Sequence, residues 1–238
     1  MPVFSIVDVE ELMGNLKTAY SQLDRWTKKG KVKKIRNNIY SAINPATGQI
    51  VANRYQIACA ITKTAYLSHH SAFEYYGLAN QVFYEMYVSS NMRFNHFEYD
   101  QISYRYIVSK TLEGVIEATN TEGVRLTNLE RTVIDSIKDV NRIGGLEELL
   151  KCLENIDYLE EDKLIKYLDL YDIKSLYQKT GFILKNYQKE MQISDSFIKY
   201  CLGKIGNSIQ YLEKDSKDNY YNRQWKLMIP EGLFNDSV

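Results

Sequence analysis

The chain has 238 residues, 45% apolar and 25% charged, an ordinary globular balance for one large domain or two to three small ones. That composition excludes a disordered tail, a collagen-like repeat and a disulfide-dense mini-scaffold. Thirty basic and thirty acidic side chains cancel, which excludes a globally basic coat for nucleic acid but not a local one.

The cancellation hides a split. Residues 1–40 carry eight basic and four acidic side chains, a net of +4. The other 198 carry 22 and 26, a net of −4. Between Lys17 and Arg36 the one acid is Asp24. Such a split predicts a small nucleic-acid-facing head on a neutral-to-acidic body. Cys59, Cys152 and Cys201 are far apart and form no C-x-x-C, as expected of apolar fillers in a reducing compartment. There is no signal-peptide pattern and no run of about 18 apolar residues, so the expected location is the cytoplasm, with no membrane partner.

Along the chain, Asp8 and Glu11 form a capping-box pattern that opens a short helix over 8–14, closed by Gly14. A second helix is predicted over 15–28. Its inward stripe is Leu16, Tyr20, Leu23 and Trp26, and Gly30 stops it. Residues 32–36 and 39–43 flank Asn37-Asn38, which suits a two-residue hairpin turn. Asn44-Pro45-Ala46-Thr47-Gly48 marks a linker. Residues 51–63 and 70–77 read as helices; 81–89, 102–108, 114–118 and 123–126 read as strands. Thr127 and Glu130 form a second capping box, opening a helix to about Lys138. Amphipathic helices follow over 146–155, 160–170, 175–191 and 194–205, then a possible strand at 225–229. The expected fold class is α+β. A winged helix-turn-helix occupies 1–44 and a body occupies 49–238, mixed α/β over 49–143 and mainly helical over 144–238.

The helix–helix–hairpin carries the chemistry. Lys17, Thr18, Ser21, Gln22 and Arg25 face outward with the reach for base edges or phosphates. Lys28, Lys29, Lys33, Lys34 and Arg36 would neutralise phosphates, and Asn37 at the hairpin turn joins them. Two helices precede the hairpin where a winged helix has three; residues 51–63 are the candidate to close that core.

Catalytic patterns are weak. His69, His70 and His96 lie in no H-E-x-x-H, and adjacent His69 and His70 would point about 100° apart on a helix. No nucleophile elbow, phosphate-binding loop or dinucleotide fingerprint occurs. Arg131 and Asp135, at i and i+4, read as a helix salt bridge, worth about 0.3–0.5 kcal/mol if exposed, rather than as part of an acidic site with Glu130. The expectation is no catalytic residue, no metal and no cofactor. Among the 20 tyrosines, clusters occur at Tyr75-Tyr76, Tyr84/Tyr87, Tyr104/Tyr106 and Tyr220-Tyr221; for those on the middle strands, sheet packing is the simpler account than a partner surface. Of basic residues, Arg93 and Arg105 are the ones expected near them.

Four stretches in order, 23–40 (LDRWTKKGKVKKIRNNIY), 65–78 (AYLSHHSAFEYYGL), 123–136 (GVRLTNLERTVIDS) and 175–184 (SLYQKTGFIL), the last followed by Trp225 and Pro230, span almost the whole chain. Together they resemble the AbiEi family of antitoxins, the regulator half of type IV abortive-infection toxin–antitoxin systems. The resemblance implies a winged helix that binds inverted repeats in its own promoter, two copies per site, and represses the operon. It implies a body that counteracts a nucleotidyltransferase-like toxin without a stable complex. DNA contact carries over to positions Lys17 through Arg36. The family's leading helix is missing ahead of Phe4-Ser5, and its wing glycine is Asn38 here. No coiled-coil seam is visible, so the expectation is a monomer in solution or a weak dimer: either the body dimerises or two monomers meet on DNA. The competing readings are a winged-helix-targeted nuclease, for which the middle strands offer Glu85 and Glu98, and a protein-interaction module whose basic helix is solvated.

Overall fold

The computed structural model describes residues 1–214 and 216–234. The fold is α+β, in two compact units: 1–75 with 83–127, and 76–82 with 128–238.

The first unit begins with β1 (Val3–Ser5), α1 (Ile6–Met13), α2 (Leu16–Lys28), β2 (Val32–Arg36) and β3 (Ile39–Ala42). The capping box of α1 sits three residues earlier than the pattern suggested. Ser5 Oγ accepts from the Asp8 amide, and the Asp8 carboxylate accepts from the Ser5 amide at 2.6 Å. Ser5 wins because β1 delivers it in extended geometry, which an N-cap requires. Gly14 ends α1 at φ +70°, and Asn15 then caps α2 through the amides of Lys17 and Thr18. The three strands are ordered β1-β3-β2, all antiparallel. Asn38 takes φ +61° in the two-residue turn between Arg36 and Ile39, a conformation asparagine tolerates. Ile6, Val9, Ala19, Leu23, Val32 and Tyr40 form the core here, with Phe4 and Trp26 packed against it. The inward stripe of α2 is therefore Ala19, Leu23 and Trp26. Leu16 and Tyr20, expected inside, are 43% and 50% exposed. They lie together on one flank of the helix, beside the fully buried Ala19.

After the 44–48 turn come α3 (Arg54–Ala60), β4 (Tyr66–Leu67), α4 (His70–Tyr76), β5 (Glu85–Ser90), β6 (Phe97–Tyr99), β7 (Ile102–Val108), β8 (Val115–Glu117) and β9 (Arg125–Thr127). These strands form a six-stranded mixed sheet in the order β6-β7-β5-β4-β9-β8. Helix α3 packs on β1 as well as on β4 and β5, so it serves both sheets. The strand expected from residue 81 starts at Glu85, because pairing with β7 begins at Glu85 opposite Ser103. Strands β1, β4 and β6 are two or three residues long and give no alternating pattern to read.

The second unit contains α5 (Leu129–Lys138), a 3-10 turn (Val140–Arg142), α6 (Leu146–Leu153), α7 (Glu161–Tyr171), α8 (Lys174–Lys185), α9 (Asp195–Lys204), β10 (Gln210–Tyr211), β11 (Asn219–Asn222) and β12 (Leu227–Pro230). Helix α5 packs on α6, α7 and α8, and α8 on α9. That is why the unit begins at residue 128 rather than at the expected 144: the buried face of α5 has its partners here. Asn128, not Thr127, caps α5 by accepting from the Arg131 amide at 3.0 Å, because Thr127 is the last residue of β9. The strands are ordered β10-β12-β11. Gly181 in α8 lies flat under the buried Trp225 ring, and a Cβ there would come within 2.7 Å of Cys201 Cβ. Among the described residues no helix is long and apolar enough to cross a membrane.

Candidate nucleic-acid interface

Helix α2 displays its polar residues on the face opposite Ala19, Leu23 and Trp26. Lys17, Thr18, Ser21, Arg25, Lys28 and Lys29 are all exposed, while Gln22 is half-buried on the edge of that face. Residues 17, 21, 25 and 28 recur at three to four positions and so line one side of the cylinder. Ser21 Oγ donates to the Lys17 carbonyl at 3.0 Å. Lys28 pairs with Asp24 at 2.7 Å across one turn, with both side chains well exposed, so the pair contributes little to stability. The result is a helix face of lysine, arginine and hydroxyls with one acid, solvated and uncovered within its unit. The next flank presents Leu16 and Tyr20, and α1 adds Leu12, 79% exposed, at the mouth of an apolar cleft of about 480 Å³ that includes Met1, Phe4, Val9 and Trp26.

The hairpin divides the remaining expected contacts. Lys34 and Asn37 are exposed near the turn, 3.4 Å apart from Nζ to Oδ1. Lys33 is exposed as well, but it and Arg36 lie against aromatic rings. Arg36 Cζ lies 4.4 Å from the centre of the Phe97 ring and 6.0 Å from that of Phe94. Burial pushes the Arg36 pKa below its ordinary value. Lys33 Nζ lies 5.6 Å over the Tyr99 ring. Arg36 is thus half-buried against the rings, unlike Lys34 at the turn. The signal that could have found its partners is Phe97-x-Tyr99, two rings at period two on one face of a strand. The aromatic middle was expected to have Arg93 and Arg105 as its basic neighbours; the fold brings Lys33 and Arg36 to it from some 60 residues away.

The other candidate residues are interior. His69 Nδ1 meets Ser68 Oγ at 2.9 Å, Ser68 Oγ meets Ser89 Oγ at 2.7 Å, and the His70 ring stacks on Phe83 at 3.6 Å. All four of Ser68, His69, His70 and Ser71 are buried, which ties this motif to the packing around β4 and β5. Arg131 and Asp135 do form the expected pair, Nε to Oδ2 at 3.4 Å, but both are buried rather than on the surface. Asp135 also accepts from the Tyr171 hydroxyl, and Glu130 accepts from the Glu160 amide at 3.2 Å. Packing of α5 against three helices leaves these polar groups no solvent, so they satisfy one another. Glu85, one of the two acids weighed for a nuclease, pairs with Arg105 at 2.6 Å. Among the described residues no group of three or more His, Cys, Asp or Glu could hold a metal ion. The three cysteines are free and buried, and burial pushes the Cys59 thiol up to about 11.

No family model and no curated relative matches the chain. Among solved structures, the chain is similar to the RV2827C protein of Mycobacterium tuberculosis, at a TM-score of 0.66 and 12% identity, over 96% of this chain and 86% of that one. At that identity the likeness concerns the fold, and it extends over both compact units.

Proposed function

We propose that the chain is a DNA-binding autorepressor and antitoxin of the AbiEi type, not an enzyme, whose first 44 residues are a winged helix-turn-helix. One observation carries the DNA-binding part: the outward face of α2, with Lys17, Ser21, Arg25 and Lys28 in line, stands beside a hairpin tipped by Lys34 and Asn37. The topology supports the winged-helix reading. Two helices joined at a glycine lie between β1 and β2, and the strands are ordered β1-β3-β2. Helix α2 is the element to enter the major groove, and the hairpin tip the element to touch the flanking backbone. The promoter's inverted repeats would take one copy of the chain on each half. The antitoxin part and the nucleotidyltransferase-like toxin rest on the sequence resemblance.

The test is a titration of the purified chain with duplex DNA from upstream of its own gene, at about 50 and about 200 mM salt, against a scrambled duplex. Preferential binding that weakens steeply with salt is expected. Replacing Lys17, Arg25 or Lys34 by alanine should each lower the salt slope by about one. Absence of binding at low salt would reduce the basic face to a solvated surface and overturn the reading.

A further inference from the structure

Strand β2 is irregular at one place: its register against β3 shifts between Lys34 and Arg36. In a regular strand Lys33 and Ile35 share one face and Lys34 and Arg36 the other. The extra residue reverses that alternation, so Ile35 turns into the core and Arg36 comes to the same side as Lys33. On that side lies β6, whose Phe97 and Tyr99 share a face two residues apart. Arg36 lies over Phe97 and Lys33 over Tyr99, so two cations of the hairpin meet two rings of the sheet in register. The rings are themselves held. Phe97 stacks on Tyr104 at 4.7 Å and 7°, and Phe94 meets Tyr106 edge-on at 5.1 Å. Tyr104 is 1% exposed. Arg36 Nη1 is buried without a hydrogen-bond partner among the described residues, so its stabilisation comes from the ring faces.

We propose that Arg36 and Lys33 are positioning residues that clamp the hairpin to β6, so that the winged head presents α2 to DNA as a fixed extension of the six-stranded sheet. The proposal rests on the DNA-binding reading above and divides the basic residues by task. Lys17, Arg25 and Lys34 face the nucleic acid, whereas Arg36 and Lys33 set the angle at which they arrive. Regular alternation would have put Arg36 on the core side with Val32; the bulge instead sets Ile35 in the core and brings Arg36 to the side of Lys33 and the two rings.

The experiment compares the full chain with R36Q, F97L and the double variant. Two quantities are read: amide hydrogen exchange over residues 32–42, and affinity for the upstream duplex at several salt concentrations. Phe97 carries no charge, so it cannot act on DNA through a phosphate. Each single variant should speed exchange in the hairpin while leaving β5 and β7 protected. Each should weaken DNA binding roughly fivefold to tenfold with the salt slope unchanged. The double variant should be no worse than either single one. Additive effects overturn the clamp. So does a lower salt slope in R36Q with full affinity in F97L, which would make Arg36 a phosphate ligand. Full affinity in R36Q and F97L despite faster hairpin exchange removes the positioning role. If the unaltered chain binds no duplex, the DNA-binding reading falls, and the exchange cycle still decides the clamp: coupled acceleration upholds it, additive acceleration overturns it.

Discussion

Helices α2 and α5 begin alike and end as opposites. Each is opened by an asparagine whose side chain accepts from amides of the first turn, and each carries arginine and acid on an amphipathic cylinder. On α2 the charged face meets water, and α1 and β2 cover the other side. On α5 three helices surround the cylinder, and Glu130, Arg131 and Asp135 are all under 7% exposed. A cation–acid pair at i and i+4 is thus a solvated decoration in one place, Lys28 with Asp24, and part of a buried network in the other, Arg131 with Asp135. The number of elements packed around a helix, not its own pattern, decides whether its charges can address a partner.

The largest expected break in this comparison is Arg131→Ala. It leaves the Asp135 carboxylate buried without its cation, and should cost about 3–5 kcal/mol in denaturant unfolding. Arg25→Ala on α2 should stay within about 0.5 kcal/mol of the parent by the same measurement. Equal losses at the two positions would end the distinction. Next comes Gly181→Ala in α8, where the new methyl meets the Trp225 ring and Cys201. A loss of about 1–3 kcal/mol, with a red-shifted, more solvated tryptophan emission, is expected. The two caps sharpen the comparison at the next level. Asn128→Ala and Asn15→Ala should each cost about 1 kcal/mol, with the fraying in Asn15→Ala confined by hydrogen exchange to the head.

The smallest effect is a titration. Burial works against the Asp169 carboxylate, but hydrogen bonds from Tyr177 and Tyr200, both at 2.6 Å, and from Lys204 outweigh it and hold its pKa below the ordinary value. A carboxylate depressed in the folded state stabilises above its unfolded pKa, and that stability is lost as pH falls through the folded one. Asp169→Asn should therefore cost about 1 kcal/mol at neutral pH, and the gap to the parent should close in acid, below the ordinary aspartate range. A gap that is the same at both ends would show that shape, not charge, holds the tyrosines there.

Much of the architecture was legible in the residues. Helix α2, the β2–β3 hairpin, β7 and the succession of helices from Leu146 follow from periodicity and from glycine and asparagine at positions of positive φ. The strands that escaped, β1, β4, β6, β10 and β11, are two to four residues long, too short to show clear alternation, and exist because a neighbour supplies their hydrogen bonds. Cap positions shifted by one to three residues for a related reason: the preceding strand chooses which polar side chain stands in extended geometry at the helix entrance. The outward face of α2 was readable because a charged stripe opposite an apolar one needs no information from elsewhere. Leu16 and Tyr20 were misplaced because periodicity sets spacing but not how wide an arc the partner sheet covers.

What the sequence determined by itself is local: composition, the charge split, helix periods, turns, and which residue types lie at the head. These depend on interactions within a few positions of one another. What the tertiary structure decided is the environment of each charge. It buried Arg131 and Asp135, left Arg25 in water, and laid Arg36 on Phe97 by way of a single bulge. Desolvation and ring contact are set by elements distant in the chain, and no short window of sequence contains both partners.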